Sequence, residues 1–120
     1  MDKYLFESLL TEINIKSEIL FLCSEFKKEN KIKSELKEIL IKIFNLNGFK
    51  ISEKTINKYF SNSIDFITYN LKDNVIKSSK DLKYYIQSEL VLNIENNEFL
   101  FRKYFNNQYK EIKEFLFIEI

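Results

Sequence analysis

The stretch from Ser52 to Lys77, SEKTINKYFSNSIDFITYNLKDNVIK, decides the fold of this chain. Its apolar residues Ile56, Phe60, Ile64, Ile67, Leu71 and Val75 follow in steps of four, four, three, four and four. That repeat marks one face of an α-helix held for several turns. Ser52 precedes the first charged turn, where its hydroxyl can accept a bond from a backbone N–H that a helix start leaves unpaired. A helix over 52–77 is about 38 Å long at the usual rise, enough to cross a small domain, and is expected to be central. Ser61, Asn62 and Ser63 have middling helix propensity and could break it, but Phe60 and Ile64 stay in phase across the site.

Upstream, Leu36, Ile39, Leu40, Ile43 and Phe44 give a helix over 32–46 its apolar face. Asn47-Gly48 suits its end, because glycine takes the left-handed backbone shape of a C-terminal cap without steric penalty. Phe49 and Ile51 are then expected to fold back onto the core. Residues 3–28 read as the first helix, with Leu5, Leu9, Ile13, Leu20 and Cys23 on one stripe. Ile15, Ile19, Leu22 and Phe26 make a second stripe beside it, and so wide an apolar face implies two neighbours. The polar run 25–31 is the expected loop, and Cys23 is expected to be a small buried hydrophobe.

Downstream, Ser78 with Asp81 three residues on is an imperfect capping box, which normally ends in Glu or Gln. The helix it starts covers 79–94, burying Leu82, Ile86, Leu90 and Ile94, with Tyr85, Val91 and Leu92 widening the face. Asn96-Asn97 is the next turn. A last helix from Asn97 to the end turns Phe101, Phe105, Ile112 and Phe115 or Leu116 inward, with Tyr109 beside them. The pattern predicts an all-α, single-domain five-helix bundle over residues 1–120, mostly antiparallel, with a long central third helix. The absence of proline and the single glycine, Gly48, remove most of the punctuation that sheet proteins need.

Composition narrows the function. The chain of 120 residues is 45% hydrophobic and 31% charged, a globular balance. Its longest strictly apolar run, Ile19 to Cys23, is far too short to span a bilayer, so no membrane partner is expected. Met1-Asp2-Lys3-Tyr4 lacks the basic-then-apolar start of a signal peptide. One cysteine permits no internal disulfide, and a cytoplasmic location is expected. Without histidine the chain lacks the commonest metal ligand, and it has no phosphate-binding glycine loop and no nucleophile elbow. Glu35 with Glu38 and Glu111 with Glu114 have helical spacing but lysine neighbours, as solvated faces do. The expectation is a protein that is no enzyme, with no cofactor, no metal and no small-molecule substrate.

Two constellations remain. The link from the second to the third helix is a helix, a glycine turn and a Ser-capped helix, the build of a helix-turn-helix. It lies in the basic section, 31–60, which carries seven Lys against three Glu. Lys50, Ser52, Lys54, Asn57 and Lys58 would face a nucleic acid, lysines on phosphates and Asn and Ser on base edges. The turn is long for that motif, however, and no arginine lies nearby.

The other constellation is aromatic. Twelve Phe and seven Tyr, with no Trp, exceed what a small helical core needs at its centre. Tyr59, Tyr69, Tyr84, Tyr104 and Phe99 fall at or beside the edges of their apolar stripes. The apolar end, Phe115 to Ile120, is unusual for a terminus. Three fates are open to it: a last turn docked on the core, a face covered by a partner, or a short strand. Tyr104, Tyr109, Phe117, Ile118 and Ile120 are therefore the candidate protein interface.

The function expected first is a small protein-binding module acting through an aromatic-rich helical face on a partner protein or a second copy. By analogy of size and composition this is the profile of inhibitors, immunity proteins, antitoxins and phage anti-defence proteins. The alternative is the helix-turn-helix nucleic-acid binder.

Overall fold

The computed structural model describes residues 3–24, 27–46, 50–105, 109, 110 and 113. Five helices follow in order: α1 (Lys3–Cys23), α2 (Glu29–Leu46), α3 (Glu53–Lys72), α4 (Ser79–Asn96) and α5 (Glu98–Phe105). Tyr109, Lys110 and Lys113 are helical too. No strand occurs among the described residues. The chain is an all-α bundle. The first four helices close a ring, α1 on α2, α2 on α3, α3 on α4 and α4 back on α1, while α5 packs on α4.

α3 starts and runs as its sequence dictates. Ser52 is extended, and its hydroxyl accepts the Thr55 N–H at 3.1 Å. The helix is continuous through Ser61–Ser63. Ser63 sits mid-helix because it works between helices: its Oγ donates to Glu89 Oε2 at 2.9 Å and accepts from Asn93 Nδ2 at 2.5 Å. Phe66 meets Tyr85 a turn further along, so numbers rise on α3 as they fall on α4, and the pair is antiparallel. Asp65 and Glu53 tie α3 to α2 through Lys33 at 3.1 Å and Lys37 at 3.3 Å.

α3 ends at Lys72, not Lys77. Asn74 takes a left-handed backbone, φ 59°, with Asn74 N–H on the Leu71 carbonyl and Val75 N–H on that of Asn70. This is a Schellman ending with asparagine where glycine is usual. The turn it makes reverses the expected burial: Val75 is exposed and Ile76 enters the core. The apolar period had continued through Val75, but the backbone left the helix two residues before it.

Other boundaries shift less. α1 stops at Cys23 rather than 28, where Ser24 Oγ bonds the Phe21 carbonyl at 2.9 Å. Cys23 is half-buried. α2 begins at Glu29 rather than Ile32, because the Lys28 carbonyl accepts the Ile32 N–H and Glu29 pairs with Lys33 one turn on, at 3.0 Å. Ser78 caps α4 by accepting the Asp81 N–H, and Asp81 Oδ2 accepts the Lys77 N–H instead of that of Ser78. Leu82, Ile86, Leu90, Val91 and Ile94 are buried as expected, whereas Leu92 is exposed. Ile51 joins the core. The expected cap at Asn47-Gly48, the inward turn of Phe49 and the fate of 114–120 fall outside the described residues.

The main correction concerns α1. Among its described side chains the buried ones are Ile13, Ser17 and Leu20, with Ser24 just past its end, and the helix packs on α2 and α4. The second stripe expected inside is outside: Ile15, Ile19 and Leu22 are 47%, 51% and 66% exposed. Both neighbours lie on one side of the helix, and a helix that is apolar all round then leaves one apolar side uncovered.

Candidate protein-docking surfaces

The end of the bundle near the α2–α3 turn is closed by aromatic rings. Phe101 of α5 is buried against Phe44, Phe60 and Tyr59, at centroid distances of 5.9, 5.8 and 6.3 Å. Arg102 forms a two-bonded pair with Glu98 and lies 4.6 Å over the Tyr109 ring, with Lys113 5.8 Å from it. Tyr109 is therefore in the core, 2% exposed, and offers no docking surface. Burial pushes its phenol above the ordinary value, with Glu98 adding to the effect and Arg102 opposing it. Tyr104 lies in α5 with its side chain outside the described set, and Phe117, Ile118 and Ile120 lie outside the described residues.

The nucleic-acid candidates are placed differently. Lys50, Ser52, Lys54, Asn57 and Lys58 are all exposed around the start of α3. Ser52 is committed to its cap, and Lys58 Nζ sits 5.4 Å from the Tyr59 ring centroid. Beside Asn57 runs a shallow groove of about 280 Å³ between α2 and α3, lined also by Lys33, Lys37, Ser61 and Asp65. Its two lysines are already paired, with Asp65 and Glu29 for the first and Glu53 for the second, so the groove is mixed in charge.

An aromatic face crosses α3 and α4. Phe66 and Tyr85 lie 5.8 Å apart and Tyr84 and Tyr85 6.2 Å, with Tyr69 one turn from Phe66. Phe66, Tyr69 and Tyr84 are 47%, 65% and 53% exposed. The Ser63–Glu89–Asn93 bonds fix the two helices behind it. Tyr69 bonds Asp73, and that carboxylate holds its phenol above the ordinary value. The sequence pointed to Tyr69 and Tyr84 by their edge positions. It did not single out Phe66, which sits beside the buried stripe that includes Ile67.

No group of three or more metal-ligating side chains is gathered among the described residues, and no described helix is long and apolar enough to cross a membrane. Comparison of the chain with protein-family models, with curated proteins and with solved structures returns no match, so the functional reading stands on this geometry.

Proposed function

We propose that the protein is a non-catalytic protein-binding module that docks the aromatic face of α3 and α4 on a partner protein or on a second copy. The observation that supports this is the exposure of Phe66, Tyr69 and Tyr84 beside Tyr85 on a pair of helices already fixed by side-chain hydrogen bonds. Tyrosine and phenylalanine supply much contact area through few rotatable bonds, so little entropy is lost when they are covered. A face that is rigid before binding keeps more of that gain.

A second reading, nucleic-acid binding through Lys50, Lys54, Asn57 and Lys58, is favoured by the exposure of all four at the capped start of α3. The two readings differ in salt dependence, since phosphate contacts weaken steeply as salt rises. Light scattering at low and high salt, with and without duplex DNA, tests them. A two-chain mass that resists salt and is lost in Tyr84→Asp supports the aromatic face with a second copy as occupant. A monomer indifferent to DNA leaves a partner protein as its occupant. A DNA complex that dissolves in salt and is abolished by Lys54→Glu with Lys58→Glu overturns the first reading.

A further inference from the structure

On α3 the aromatic face belongs to one outward stripe: Lys58, Asn62, Phe66, Tyr69 and the capping residue Asp73, all exposed, in steps of four, four, three and four. Lys58 and Asp73 are about 22 Å apart at the usual rise, with Phe66 near the midpoint. The stripe changes sign along its length. An ammonium stands at its N-terminal end and a carboxylate at its C-terminal end, with an amide on one side of the central ring and a phenol on the other.

Such an order is complementary to its own reverse. When the stripe is laid antiparallel on that of a second copy, with a two-fold axis beside Phe66, Lys58 of each chain comes level with Asp73 of the other. Asn62 then comes level with Tyr69, and the two Phe66 rings meet at the axis. A parallel copy would set lysine against lysine and carboxylate against carboxylate. A two-fold interface requires a patch that fits itself, because both chains offer the same residues. The spacing is that of a helix face packing along another helix.

The neighbouring groups fit this pairing. Asp65, beside Phe66, has Lys33 at 3.1 Å, so the centre of the stripe brings no unbalanced charge. Lys58 lies over the Tyr59 ring at 5.4 Å. Asp73 takes one bond from the Tyr69 phenol, and a carboxylate can accept several. On α4, Tyr85 packs on Phe66 and Tyr84 on Tyr85, which widens the contact.

We infer that the occupant of the aromatic face, taken as the docking surface, is a second copy of this chain, seated with the two α3 helices antiparallel about Phe66. The interface is small, so the dimer is weak and reversible. Its end pairs are exposed and set orientation more than strength.

Sedimentation equilibrium over a concentration series reaching about 1 mM is the test. The unaltered chain is expected to show a two-chain mass. Lys58→Glu and Asp73→Lys each put like charges at both ends of the dimer, and each should weaken it about tenfold. Mixed together, the two variants should associate as well as the unaltered chain, because each end then joins a carboxylate to an ammonium. Both changes are at exposed side chains, and circular dichroism checks that the helices persist. A monomer throughout overturns the inference and leaves the aromatic face for a partner protein. A dimer lost in Tyr84→Asp, but unaffected by the charge variants or not restored on mixing them, overturns the antiparallel seat and spares the aromatic face. A dimer indifferent to all three substitutions overturns both.

Discussion

Phe101 stacks on Phe44 with ring centroids 5.9 Å apart and planes inclined by 19°, and Phe60 meets Phe101 edge-on at 5.8 Å. One side chain thus fastens α5 across the ends of α2 and α3. Phe101→Ala removes a fully buried ring from three neighbours. It is expected to destabilise the fold by about 3 to 5 kcal/mol, the range for such truncations. Urea unfolding followed by circular dichroism measures this, and a loss well under 1 kcal/mol would mean that α5 is not docked as described.

The αL backbone at Asn74 gives a second prediction. A side chain without asparagine's tolerance for this region should raise the energy of the turn, so Asn74→Ala is expected to destabilise by about 1 kcal/mol. Asn74→Gly keeps the geometry and removes the Cβ, and is expected to be neutral or slightly stabilising. The order of the three midpoints in thermal unfolding is the readout. Equal midpoints for Ala and Gly would contradict the turn.

Gln87 is 1% exposed, and neither its Nε2 nor its Oε1 has a hydrogen-bond partner among the described residues. A buried amide left unpaired loses its hydration with nothing in return. Gln87→Met, similar in volume and without those polar atoms, is expected to stabilise by about 1 to 3 kcal/mol. The same urea experiment decides it, and a destabilised Met variant would show that the amide is satisfied in solution.

Alkaline titration bears on two tyrosines. Tyr69 is raised from 10.0 by its bond to Asp73, and Tyr109 from 10.0 mainly by burial. A raised folded-state pKa means that the fold prefers the neutral phenol. The associated stability is therefore complete below the ordinary pKa and is lost as pH climbs through the folded value. Absorbance titration should show a fraction of the tyrosines ionising late, with unfolding favoured in the same alkaline range. Asp73→Asn should bring Tyr69 down toward its ordinary value and leave Tyr109 in place.

How far the sequence alone reaches is clear from single residues. Ser52 and Ser78 could be read as caps because the bond each makes is local, spanning three residues. The buried face of α4 was legible because Leu82, Ile86, Leu90 and Ile94 keep one phase throughout. The end of α3 was not read, because Val75 continued the period while Asn74 broke the backbone, although asparagine's liking for αL offered a clue. Ile15, Ile19 and Leu22 read as a face covered by a second neighbour and are instead exposed, since periodicity identifies an apolar face but not whether anything covers it. Tyr109 read as a candidate interface residue beside the inward face of the last helix, and it is buried, with Arg102 and Lys113 against its ring.

The ring of four helices closes between its first and its last member, and this has a consequence for synthesis. As the chain leaves the ribosome from its N-terminus, α2 is the first of α1's two neighbours to emerge, and α4 reaches α1 only after a further 32 residues have followed α2. Until then the side of α1 meant for α4, like its outward stripe, has no cover. The nascent chain is most exposed to mispairing in that interval. Ser17, buried between Ile13 and Leu20, makes the inward side of α1 less apolar over that interval.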